Sequence, residues 1–146
     1  MLDLANFETA AEKGAPLELK DPAGLPLTYD TGEMEEIDGE VQAVMKPITI
    51  WLAGVESPRW AKAADALTNK INDMKEKRSA QDIRVDRAAI LAKMTLRWDG
   101  IVVDGKALEC NEENAKKLYA RFRWIMDQVD RFIAVRENFL PASSKN

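Results

Sequence analysis

The sequence predicts an α+β fold, mainly helical, with three to four helices, a small N-terminal antiparallel sheet and a short β-hairpin between helices. Three observations predict it. Apolar residues recur at three- and four-residue steps through most of residues 57–140. Short alternating or β-branched runs lie among turn residues before position 56. Asp104-Gly105, the dipeptide of tight hairpins, separates two short β runs in the middle of the helical region. With 146 residues, 46% of them hydrophobic, the chain suits a single domain over 1–146. It divides into an acidic β-rich part (1–56), a helical part (57–140) and a polar tail (141–146) expected to be flexible.

Taken in order, residues 4–13 place Leu4, Phe7 and Ala11 on one helical face, and Gly14 is the stop. Residues 16–30 read as a hairpin: Leu17 and Leu19 alternate with polar neighbours, Asp21-Pro22-Ala23-Gly24 turns the chain, and Leu25, Leu27 and Tyr29 begin a second strand. Residues 31–40 are acidic and glycine-bearing and read as an exposed loop or mobile arm. Residues 45–54 read as a strand ending at Gly54, with Pro47 at its start or on an edge. Ser57-Pro58 opens a helix to about Arg78, whose apolar face is Trp60, Ala64, Leu67, Ile71 and Met74. A further helix over 82–98 buries Ile83, Ile90, Leu91, Met94 and Trp98.

The stretch after Trp98 is accounted for residue by residue. Gly100 ends the helix, residues 101–103 and 106–108 flank Asp104-Gly105, and Asn111 caps the next helix with Glu112 and Glu113 in its first turn. Ala115, Leu118, Phe122, Ile125, Val129 and Phe132 then form the strongest stripe, widened by Tyr119, Met126 and Ile133. This is one long helix, or two with a break near Ala120, ending before Pro141.

Composition excludes much chemistry. The chain has no histidine and one cysteine, Cys110, so His-based relays, His-ligated metals, internal disulfides and thiolate cages are excluded. Cys110 reads as a buried, inert thiol. The first residues, MLDLANFETAAEKG, lack the basic and apolar regions of a signal peptide, and the apolar run 48–55 is too short to span a bilayer. Residues 1–56 carry 12 acidic and 3 basic side chains, a net of −9, and residues 57–146 carry 13 and 18, a net of +5. The basic surplus is interleaved with acids, as on a solvated helical surface rather than a phosphate-binding face. Glu35 with Glu36, and Glu112 with Glu113, are the candidate carboxylate pairs. Asp30, Glu33, Glu35 and Asp38 lack the order of a calcium loop. No catalytic residue, metal site or cofactor is expected.

One ordered set of short pieces carries a resemblance. GVESPRW (54–60) after a strand is followed by WDGIVVDGKALECNEENA (98–115), WIMDQVDRFI (124–133) and RENFL (136–140). Over roughly residues 16–140 this resembles the tail assembly chaperones of long-tailed bacteriophages and prophages. The resemblance implies a non-enzymatic protein of the host bacterial cytoplasm. It would bind the tape-measure protein and keep it soluble while tail-tube protein assembles around it, and it would be absent from the finished virion. It also implies a longer, frameshifted form that recruits tube subunits. Ser144-Lys145-Asn146, encodable as TCA AAA AAC, is the expected place of the shift.

A holding chaperone needs apolar surface to cover a partner's apolar stripe. On that reading Trp124, Phe132 and Phe139 supply part of the partner-binding surface, with Arg131 and Arg136 at its edges. The acidic N-terminal third shields that face or keeps the complex soluble. Neither nucleic acid nor membrane is an expected partner, and self-association is allowed. The alternative is a generic helical protein–protein adaptor or regulatory module. A small carboxylate enzyme would instead show a pocket of converging acids, and a nucleic-acid binder a salt-sensitive affinity.

Overall fold

The computed structural model describes residues 2–74 and 77–141. Helix α1 (Ala5–Lys13) stops at Gly14, whose φ of 84° only glycine adopts freely and whose N–H donates to the Ala10 carbonyl. A Cβ there would lie 2.5 Å from both the Leu52 carbonyl and the Leu96 side chain, so the backbone passes directly against the sheet. That sheet has three antiparallel strands in the order β1 (Ala15–Glu18), β4 (Thr49–Leu52), β5 (Thr95–Asp99). Ile50 and Leu52 of β4 are completely buried beneath α3 (Ala80–Met94), α4 (Glu112–Arg121) and α5 (Arg123–Ala134). Leu91, Met94, Tyr119, Val129 and Ile133 complete the centre of the core.

Helix α2 (Pro58–Asp73) starts where Ser57 accepts the Trp60 N–H at 3.2 Å. Its apolar stripe leaves the core as it runs: Trp60, Ala64 and Leu67 are half-buried, whereas Ile71 and Met74 are exposed. Helix α3 begins with a reciprocal cap between Ser79 and Asp82, and the Ser79 N–H and hydroxyl together hold the Asp82 carboxyl below its ordinary value. The buried Asp86 carboxylate ties the two helices together. It accepts from Lys70 Nζ at 2.8 Å and pairs with Arg78.

The predicted layout needs correction. The described residues form five α-helices and seven strands in three small sheets, an α+β mixed fold, rather than three to four helices with one N-terminal sheet and a short hairpin. Residues 31–40, expected as an exposed loop or mobile arm, are exposed but are mostly strand. They run through β2 (Thr28–Ile37) and the Asp38-Gly39 turn, with φ of 52° and 81°, to the start of β3 (Glu40–Pro47), which pairs with β2 as a two-stranded arm. Strand β1 pairs with β4; its expected hairpin partner over 25–29 supplies only the Lys20–Pro26 bridge. The predicted strand over 45–54 is divided at Ile48, whose N–H and C=O bond Leu27 and Leu19.

The expected helix 82–98 ends at Met94 because residues 95–99 pair with β4 instead. Trp98 therefore faces Ile50 across the sheet, and its indole N–H donates to the Leu108 carbonyl at 2.8 Å. Ile83, expected in the core, is 57% exposed. Helix α2 stops at Asp73 rather than Arg78, and Lys75 and Glu76 lie outside the described residues. The C-terminal stripe is two helices with the break at Phe122, followed by a 3-10 turn, Arg136–Phe139. Most of the tail expected to be flexible, residues 142–146, lies outside the described residues, and with it the expected frameshift position. Between α3 and α4, β6 (Val102–Val103) and β7 (Lys106–Ala107) form the expected Asp104-Gly105 hairpin. Among the described residues no helix is long and apolar enough to cross a membrane.

Candidate partner-binding site

The five residues expected to meet a partner do not form one surface. Trp124, in the first turn of α5, is half-buried and meets Phe122 edge-on, with ring centroids 6.4 Å apart. Both rings line an apolar groove of about 360 Å³. Other walls include Leu27 and Tyr29 at the root of the arm, Ile48 before β4, and Ile101 to Val103 at the central hairpin, over a floor that includes Leu19 and Leu118. The chain breaks helix at Phe122, where φ is −109° and ψ is 85°; in the first turn of α5 Ile125 and Met126 are buried and Trp124 is half-buried.

Phe139 is elsewhere and is a packing residue, which corrects the expectation that it faces a partner. It is only 6% exposed and, with Ala11 and Ala15, forms a second small core. A Cβ on Gly54 would lie 2.7 Å from its ring, so the ring sits on bare backbone. Phe132 is half-buried and bridges this small core to the main one, meeting Phe139 edge-on at 5.4 Å. Arg136 pairs with Glu56, which raises the guanidinium above its ordinary value; with Phe7, Val55 and Leu140 they line a smaller apolar pocket of about 240 Å³. Arg131 is exposed on α5. Sequence spacing missed Phe122 as a site residue because it fits the core stripe, and missed Leu27, Tyr29 and Ile48 because they join only through the tertiary fold.

The candidate reactive groups lie apart from one another. Glu35 and Glu36 are neighbours on β2 and so project to opposite faces. Glu112 and Glu113 occupy the first turn of α4, where Asn111 accepts the Asn114 N–H at 2.8 Å. Cys110 is half-buried, and burial pushes its thiol up. Burial likewise pushes the Tyr119 phenol well above its usual range. Asp104 is held below its ordinary value by bonds at 2.8 Å and 3.1 Å from Arg121, which lock the hairpin to α4. Among the described residues no group of three or more cysteine or carboxylate side chains has the geometry to hold a metal ion. No protein-family model, curated protein or solved structure matches the chain.

Proposed function

We propose that the chain is a phage tail assembly chaperone that binds the tape-measure protein, keeps it soluble and promotes tail-tube assembly. The observation that carries this reading is the open aromatic groove at the α4–α5 break, joined to the ordered resemblance over 98–115 and 124–140. A long helical client exposes an apolar stripe, and an apolar groove with an aromatic rim covers part of such a stripe. Covering about 25 cal/mol per Å² over a few hundred Å² amounts to several kcal/mol before association costs. That range suits a partner that must later be displaced by tail-tube protein. On this reading Trp124, already among the expected contacts, meets the partner with Phe122 beside it, and the buried Phe139 does not.

The test is co-expression with the tape-measure protein of the phage or prophage that carries the gene. The wild-type chain should keep that protein in the soluble fraction and co-purify with it. Trp124→Ala should lose most of the co-purifying protein while keeping a near-wild-type unfolding midpoint. Phe139→Ala should lower the unfolding free energy by about 3 kcal/mol as a core truncation. A client that stays insoluble with the wild-type chain overturns the function; full capture by Trp124→Ala overturns the site.

A further inference from the structure

The arm formed by β2 and β3 has no layer packed on it. The two strands form a separate two-stranded sheet, so each keeps an outer edge of unpaired backbone groups. An isolated ribbon of this kind is marginal in water unless something covers it. One face is apolar. Cross-strand register puts Met34 beside Ala43, and Val41 and Met45 follow at two-residue steps on the same side. Met34, Val41 and Met45 are 62%, 68% and 50% exposed. The edges differ. Strand β2 is interrupted between Asp30 and Met34, where Thr31 Oγ1 donates to the Val44 carbonyl, whereas β3 runs without interruption from Glu40 to Lys46.

Charge selects the occupant. Residues 28–47 hold six carboxylates against one amine, Lys46, a net of −5. Two arms therefore repel, which disfavours arm-to-arm pairing of copies. Glu35 and Glu40 lie on the face opposite Val41 and Met45, together with Ile37, Gln42 and, nearer the root, Lys46. We infer that the arm docks an extended cationic segment of another protein, added as a third strand along β3, with apolar side chains on the Val41–Met45 face and Lys or Arg on the Glu35–Glu40 face. Backbone bonds along β3 would supply affinity, and alternation would supply register. This inference rests on the arm alone and stands or falls independently of the tape-measure reading.

The probe is a nine-residue synthetic peptide alternating Val and Lys, compared with a block-ordered peptide of the same composition. Binding is followed by amide chemical shifts of the full-length protein. The alternating peptide should shift residues 40–47 and bind at least about tenfold tighter than the block peptide. Glu35→Gln with Glu40→Gln, and separately Val41→Thr with Met45→Thr, should each weaken it about tenfold, with an unchanged melting point because the arm carries no core residue. Equal binding of both peptides, shifts centred elsewhere, or variants with wild-type affinity would overturn the inference. So would a concentration-dependent dimer of the wild-type chain that the double Gln variant dissolves, since a second copy would then be the occupant.

Discussion

Tyr119 carries a hydroxyl into the centre of the core, where its partner is Thr95 Oγ1 at 2.6 Å. The Thr95 hydroxyl already reaches the Leu91 carbonyl at 3.0 Å, so its single proton is committed there and Tyr119 is the donor. Tyr119→Phe removes that donor and leaves no buried N–H or O–H unpaired. The cost should be about 1 kcal/mol in urea unfolding. A pH signature accompanies it. The folded phenol sits above the ordinary value of 10.0, because burial disfavours its anion. The unfolded chain therefore loses this proton first, and stability from this group is complete below pH 10 and declines as pH rises beyond it. Wild-type protein should lose stability between about pH 9 and about pH 11 more steeply than Tyr119→Phe, and equal slopes would contradict the buried placement.

Two hairpins use the same dipeptide and should respond differently to the same substitution. Asp38-Gly39 and Asp104-Gly105 have matching positive φ values at both positions. Alanine at either glycine should strain the turn by about 1 kcal/mol. The second hairpin is fastened to the core through Ile101, the Trp98–Leu108 bond and the Arg121–Asp104 pair. Gly105→Ala should therefore lower the global unfolding midpoint. Gly39→Ala should leave the midpoint in place and speed hydrogen exchange only along the arm. The contrast also explains what could be read from the chain alone. The Ser57 and Asn111 caps were legible because a cap is decided within four residues. The strand pairing of the arm was not, since its run of carboxylates hid a turn dipeptide identical to the one recognised at 104–105. Residues 95–98 were not, since the four-residue step from Met94 to Trp98 imitates a helix until pairing with β4 is known. At the candidate site, Trp124 was singled out from the sequence and lies half-buried on the groove. Phe139 was misread because its cover, Gly54, is brought to it only by the fold.

At the scale of the molecule, the acidic N-terminal part is divided between a packed sheet and a projecting arm, and the arm holds six of its 12 carboxylates. The arm's root is built into the core: a Cβ on Gly100 would lie 2.4 Å from the Tyr29 ring, and the Ile48 N–H donates to the Leu27 carbonyl at 3.0 Å. Beyond Tyr29 and Lys46, which pair directly, no residue of the arm is buried. Replacing residues 30–45 by Asn-Gly therefore rejoins those two positions through a two-residue turn and removes no core contact. The deletion takes away six carboxylates and no cation, so the net charge of −4 becomes +2 before any change in folding. The shortened protein should unfold cooperatively within about 0.5 kcal/mol of the parent, because exposed segments away from the core contribute little to stability. It should also migrate in the opposite direction on a native gel at neutral pH. Loss of cooperative unfolding would mean that the arm braces the core, whereas a stable, charge-reversed protein would show that the sequence spends these residues on a surface for something outside the fold.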